Sequence, residues 1–145
     1  MESPLTLEIH WKTIKGDRDP LWLTDMGLYA YLALKLHELV YIDSLDEVTL
    51  WRHWTSDDAK KLWKDWEEER GLVPEVFIMV GLFVLPKGSR LTHPLVADAR
   101  CLLVDGMKPW GNRNDKIVTP SHPELLVRSK GDWPPTFESV FSHEE

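Results

Sequence analysis

An apolar run from Val76 to Leu85 dominates the middle of the chain, and only Gly81 interrupts it. A helix that crosses a membrane needs about 20 apolar residues, so this run is too short to span one. Its β-branched and aromatic composition is typical of a buried strand. Gly81 in its interior predicts a β-bulge. The rest of the chain must therefore supply elements that cover this strand.

The chain has 145 residues, which is enough for one hydrophobic core. We predict a single domain over residues 1–131 and an acidic C-terminal tail over residues 132–145. The tail carries large apolar side chains, and we expect them to dock on the domain: Trp133, Phe137, Val140 and Phe141. The single cysteine, Cys101, excludes a disulfide framework within the chain and a multi-cysteine zinc site. Residues 1–10 lack the features of a signal peptide, so we expect a cytoplasmic protein without membrane contact.

Hydrophobic periodicity predicts four further elements. Leu5–Trp11 alternates apolar and polar residues, as a half-buried strand does. Thr24–Val40 is apolar nearly all round, which indicates a central core helix. The capping-box pattern Ser44–Glu47 predicts a second, short helix, and Thr55–Asp58 predicts the start of a third that ends at Gly71.

The predicted fold class is α+β, with an N-terminal strand, a three-helix segment and then a small, mostly antiparallel sheet. That sheet would include strands at Arg100–Val104 and Ile117–Thr119. The order of helices and strand over residues 24–85 resembles winged helix-turn-helix domains, in which the third helix enters the DNA major groove. Residues 55–70, however, carry six acidic and four basic side chains. This charge disfavours contact between the third helix and phosphates.

The third helix supplies the first candidate binding surface. Its acidic residues could bind a basic groove on a protein partner or form a solvated face: Asp57, Asp58, Asp65, Glu68 and Glu69. Our leading hypothesis is a small protein-binding module that acts as an accessory protein, an inhibitor or a regulator. Proteins of viral or mobile-element origin are among the possibilities. The partner is an unidentified protein, and a homodimer is compatible with the eight tryptophans.

The loop from Gly106 to Lys116 supplies a second candidate. It combines an aromatic ring with cations, a combination that binds single-stranded nucleic acids and nucleotides: Lys108, Trp110, Arg113 and Lys116. Residues 86–130 also carry eight basic and four acidic side chains. The alternative hypothesis is therefore a nucleic-acid or nucleotide binder, and the simpler interpretation is a surface loop with a packed tryptophan.

A hydrolytic site around His93, His122 and Asp98 is a third hypothesis. Two histidines and one carboxylate can hold a metal ion, but no metal-ligand spacing occurs among them. Cys101 lies in an apolar segment typical of a buried, unreactive thiol. The sequence therefore assigns no catalytic residue, no cofactor and no metal site, and it favours a protein without enzymatic activity.

Overall fold

The computed structural model describes residues 6–34, 36–85, 87–88, 90–115 and 120–142. Its centre is a curled, six-stranded sheet with the strand order β3-β2-β4-β1-β5-β6. The strands are β1 (Thr6–Thr13), β2 (Met26–Ala33), β3 (Glu38–Asp46), β4 (Val76–Val84), β5 (Leu126–Gly131) and β6 (Val140–Ser142). The sheet is mixed, because β1 pairs with β5 in parallel whereas its other pairs are antiparallel.

Helices cover both faces of this sheet. They are α1 (Leu50–Trp54), α2 (Asp57–Arg70), α3 (His93–Met107) and two short 3-10 helices at Pro20–Leu23 and Trp110–Asn112. Alternate residues of β2 serve two cores, because successive side chains of a strand point to opposite faces. Leu28 and Leu32 pack on the side of α3, and Tyr29 and Tyr31 pack on the side of α1 and α2.

The segment after β5 docks on the domain. The ring of Trp133 lies 5.0 Å from that of Trp11 on β1, and Phe141 is buried in the core on the α3 side. Gly106 of α3 has no side chain, which lets the ring of Phe141 lie directly against the helix. Residues 132–142 therefore form part of the folded domain.

The predicted core helix over Thr24–Val40 is wrong. This stretch forms β2, a turn and the first residues of β3, and a residue with positive φ, His37, lies in the turn. Nearly every residue of β2 is buried, because neighbouring strands and both helical layers surround it. A strand buried on both faces has no polar alternation, so its apolar pattern imitates that of a core helix.

The three-helix, winged-helix-like order and the separate, mostly antiparallel sheet are contradicted by this strand-dominated architecture. Ser44 lies within β3, and α1 begins instead after Thr49, whose hydroxyl accepts a hydrogen bond from the backbone of Arg52. The segment Arg100–Val104 lies inside α3, where its short apolar run faces the core. Residues 117–119 lie outside the described part of the chain.

Three predicted elements are confirmed. β1 covers the alternating segment, β4 covers the long apolar run, and α2 begins after Ser56 and ends at Gly71, which is left-handed with φ of 71°. The predicted bulge at Gly81 is wrong, because this residue pairs in regular register with Trp11 and Leu28. Its missing side chain instead leaves room for Ile9 and the indole of Trp11.

Candidate functional site

The acidic residues of α2 lie at the surface but do not form a continuous acidic row. Asp57, Asp58, Glu68 and Glu69 are exposed, and Asp65 is half-buried. Exposed lysines alternate with them on the same helix face, because Lys61 follows Asp57 by one turn and Lys64 precedes Glu68 by one turn. This face therefore has mixed charge along most of its length, and the two aspartates at its start lie beside α1.

The loop that carries Trp110, residues 108–115, is fixed against the free edge of β3. The side-chain oxygen of buried Asn112 accepts a hydrogen bond from the backbone N–H of Ile42 at 3.0 Å, and its amide group donates to the Ile42 carbonyl at 2.8 Å. An edge strand otherwise exposes unpaired backbone groups. Asn112 therefore completes the pairing of β3 where the sheet ends.

Trp110 and Arg113 contact each other in this loop. The Arg113 guanidinium carbon lies 3.9 Å from the centre of the indole ring, and Arg113 Nη1 donates to the Trp110 carbonyl at 2.9 Å. Trp110 also packs against the apolar cluster beneath α2. Lys108 is exposed, and Lys116 lies outside the described residues. The aromatic ring and one cation of the predicted nucleic-acid site are thus engaged within the chain itself.

An ionic network joins the loop to α3 and β3. Arg100 Nε donates to Asp43 at 2.7 Å, and Arg100 Nη2 donates to Asp115 at 2.6 Å. Asp43 also accepts a hydrogen bond from the Tyr41 hydroxyl at 2.8 Å. Neighbouring Cys101 is half-buried, and burial raises the pKa of its thiol. The network stabilises the loop. Burial of the Cys101 thiol outweighs the opposite effect of Arg100 on its pKa and favours the less reactive, protonated form.

The structure brings together two of the three residues proposed for hydrolysis. Asp98, of which only 5% is exposed, accepts hydrogen bonds from the backbone N–H groups of Ser121 and His122. It also lies 2.6 Å from His122 Nδ1. An ionised carboxylate only accepts, so we assign the ring proton to Nδ1. His122 Nε2 then carries the lone pair of a half-buried imidazole and has no hydrogen-bond partner among the described residues.

His93 lies in a different part of the structure, at the start of α3. Its Nδ1 lies 2.8 Å from Asp46 Oδ1, and both side chains are largely exposed. They line a cavity of about 300 Å³ between the end of β3 and the first turn of α3, together with Ser44 and apolar side chains. In the described part of the chain, no hydrogen bond joins Ser44 Oγ to His93. In this geometry Ser44 is therefore not hydrogen-bonded to His93 as a nucleophile is to its general base.

An exposed apolar corner of the fold has no signal in the sequence. We call it the α1 corner and define it as residues 16–25 and 46–58. Backbone hydrogen bonds of 2.9 Å join its two segments, from Glu47 to Asp25 and from Leu50 to Thr24. The rings of Trp22 and Trp51 meet edge to face at 5.2 Å. These contacts fix the corner without covering its outer side.

Three apolar side chains of the α1 corner remain open to solvent. The exposed fraction is 73% for Leu23, 46% for Trp51 and 37% for Val48. No sequence period relates these residues, because the first lies before β2 and the other two follow β3. Only the pairing of β2 with β3 brings them together.

An aromatic cluster lies under α1 and α2 and contains all three tyrosines of the chain, Tyr29, Tyr31 and Tyr41. Burial raises the pKa of each phenol, and neighbouring Asp43 raises it further. Burial lowers the pKa of His53, whose Nδ1 lies 3.3 Å from the Tyr29 hydroxyl. Three buried polar atoms of the cluster have no hydrogen-bond partner among the described residues: Tyr31 Oη, His53 Nε2 and Trp63 Nε1.

Comparisons with models of known protein families, with curated proteins and with solved structures returned no match. The part of the chain that the structure describes contains no group of three or more side chains able to hold a metal ion. It also contains no helix with the length and apolarity needed to cross a membrane.

Proposed function

We propose that this protein is a binding module that docks another protein on the α1 corner. The observation that carries the proposal is the exposure of Leu23, Val48 and Trp51 on one fixed corner of the fold. Tryptophan is enriched at the centres of protein interfaces because its ring supplies a large contact area at small entropic cost. Large exposed apolar patches are typical of interaction sites.

The local structure supports a preformed docking surface. Leu50 is fully buried and anchors α1, while Trp22 donates its indole N–H to the Gly16 carbonyl at 2.9 Å. The exposed ring of Trp51 therefore projects from a backbone that is held on both sides. A preordered surface loses less conformational entropy when a partner binds.

The test compares capture of proteins from a lysate of the source cells by the immobilised wild-type chain and by three variants. Leu23→Ser and Trp51→Ala alter the α1 corner, and Val73→Ser is the matched control because 76% of Val73 is exposed elsewhere. We expect a stoichiometric protein that wild type and the control retain and that both corner variants lose. Equal capture by all four chains would contradict docking at this corner.

The bond between His122 and Asp98 favours one second candidate function, hydrolysis with His122 as general base. Asp98 orients the imidazole through Nδ1, as the carboxylate of a catalytic triad does, and His122 Nε2 would remove a proton from an attacking water. We propose a small ester as the substrate class: the water oxygen bonds to the acyl carbon, the ester C–O bond breaks, and the His122 imidazolium returns its proton to the leaving alkoxide.

Hydrolysis of p-nitrophenyl acetate tests this second candidate. We expect His122→Gln to lower the rate by about tenfold or more, since general-base catalysis contributes at least that factor. His93→Gln is the control for the background reactivity of exposed imidazoles. Equal rates for the two variants would remove the hypothesis.

A further inference from the structure

The α1 corner also concentrates negative charge, and this feature specifies a partner if docking at the corner is correct. Residues 16–25 and 46–58 contain seven carboxylates and two guanidinium groups. The carboxylates are Asp17, Asp19, Asp25, Asp46, Glu47, Asp57 and Asp58, and the cations are Arg18 and Arg52. This net charge of −5 compares with −7 for the whole chain.

Five of these carboxylates are exposed to solvent, and their side chains form no hydrogen bond or ion pair with described residues: Asp17, Asp25, Glu47, Asp57 and Asp58. Asp25 and Glu47 lie next to each other, because the Glu47 backbone N–H donates to the Asp25 carbonyl. Unpaired surface charges interact with a partner more readily than charges already paired within the chain.

We propose that the α1 corner binds a basic, amphipathic segment of another protein. Large apolar side chains of the segment would contact Trp51 and Leu23, and its lysines and arginines would face the surrounding carboxylates. Complementary charge accelerates association and makes the affinity depend on salt. The same field repels nucleic acids and anionic lipids, because their binding requires cations on the protein.

A synthetic helical peptide of leucine and lysine tests the proposal, with a leucine–glutamate peptide of the same length as its counterpart. Binding is followed by the NMR signal of the Trp51 indole N–H, which the variant Trp51→Phe assigns. We expect the lysine peptide to shift this signal and the glutamate peptide to leave it unchanged. A several-fold rise in salt should weaken the affinity by about tenfold.

Two double variants with the same change in net charge separate a local site from general attraction. Glu47→Lys with Asp57→Lys changes the α1 corner, and Glu68→Lys with Glu69→Lys changes exposed residues of α2 outside it. We expect the first pair to weaken binding of the lysine peptide about tenfold and the second to weaken it less than about twofold. Equal weakening by both pairs would overturn the proposal.

The outcomes also separate this inference from the docking function. If the lysine peptide fails to bind, while a lysate protein is captured by wild type and lost in Leu23→Ser, docking stands and the basic partner is rejected. Binding of the glutamate peptide, or a dimer of this chain that Trp51→Ala dissociates, would likewise reject it. If the wild-type chain binds neither the lysine peptide nor any lysate protein, both the basic partner and the docking function are rejected.

Discussion

At the scale of single residues, Asn112 joins a loop to the sheet, because it pairs with both backbone groups of Ile42 at the edge. It also donates to Asp115 at 2.9 Å and so joins the ionic network of Arg100. Removal of the Asn112 side chain leaves the Ile42 backbone groups partly buried and unpaired. One amide therefore stabilises both the loop and the free edge of β3, in addition to the ionic network of Arg100.

We expect Asn112→Ala to lower the free energy of unfolding by about 2–3 kcal/mol, since it removes two backbone contacts and leaves buried groups unsatisfied. Asn114→Ala is the matched control, because Asn114 is exposed in the same loop, and its effect should stay within about 0.5 kcal/mol. Urea unfolding of the two variants measures the difference. Similar values for both would show that the loop does not depend on Asn112.

The three tyrosines give a prediction for alkaline pH. In the unfolded chain the phenols ionise near pH 10, whereas the raised pKa values keep them protonated in the fold. Above pH 10 the folded state therefore binds more protons than the unfolded state. The free energy of unfolding should fall by about 1.4 kcal/mol per pH unit for each tyrosine.

A titration followed by phenolate absorbance and by circular dichroism checks this prediction. We expect the absorbance to rise only when the native dichroism is lost, and to rise near pH 10 in protein already unfolded by urea. Phenolate absorbance near pH 10 in a fully native sample would contradict the burial of the cluster.

The elements differ in how well sequence patterns predict them, and their surroundings explain why. β1 and α2 each have one polar side, so their periods of 2 and 3.6 residues are visible in the sequence. β2 is buried on both sides and has no visible period. The Ser44–Glu47 pattern imitates a cap, but pairing of Ser44 with Leu28 keeps it in a strand. Tertiary contacts therefore determine the secondary structure of β2 and of the Ser44–Glu47 segment.

The C-terminal segment is the element whose docking is simplest to test. Phe141 is buried against α3, whereas its neighbour Val140 is largely exposed. We expect Phe141→Ala to cost about 3 kcal/mol and Val140→Ala less than about 1 kcal/mol, since only the first change leaves a cavity. Deletion of residues 132–145 should lower the melting temperature, because it also removes the contact between Trp133 and Trp11. An unchanged melting temperature would contradict docking of the segment.

At the scale of the whole molecule, the candidate site is a product of topology. The sequence identifies the carboxylates of the α1 corner, and their charge is predictable from composition. The proximity of the two segments is not predictable, because Trp22 and Trp51 meet only when β2 and β3 pair. The predicted helix over Thr24–Val40 would have separated them. An error in one element therefore concealed the surface on which the proposed function depends.

The two cores share one sheet, and this sharing predicts cooperative unfolding. Leu28 and Leu32 of β2 belong to the core beneath α3, while Tyr29 and Tyr31 of the same strand belong to the core beneath α2. Loss of either core would expose one face of β2, so this strand couples the two cores. We expect urea transitions followed by tryptophan fluorescence and by far-ultraviolet dichroism to coincide, in wild type and in Phe141→Ala alike. Separate transitions for the two probes would mean that the two faces of the sheet unfold independently.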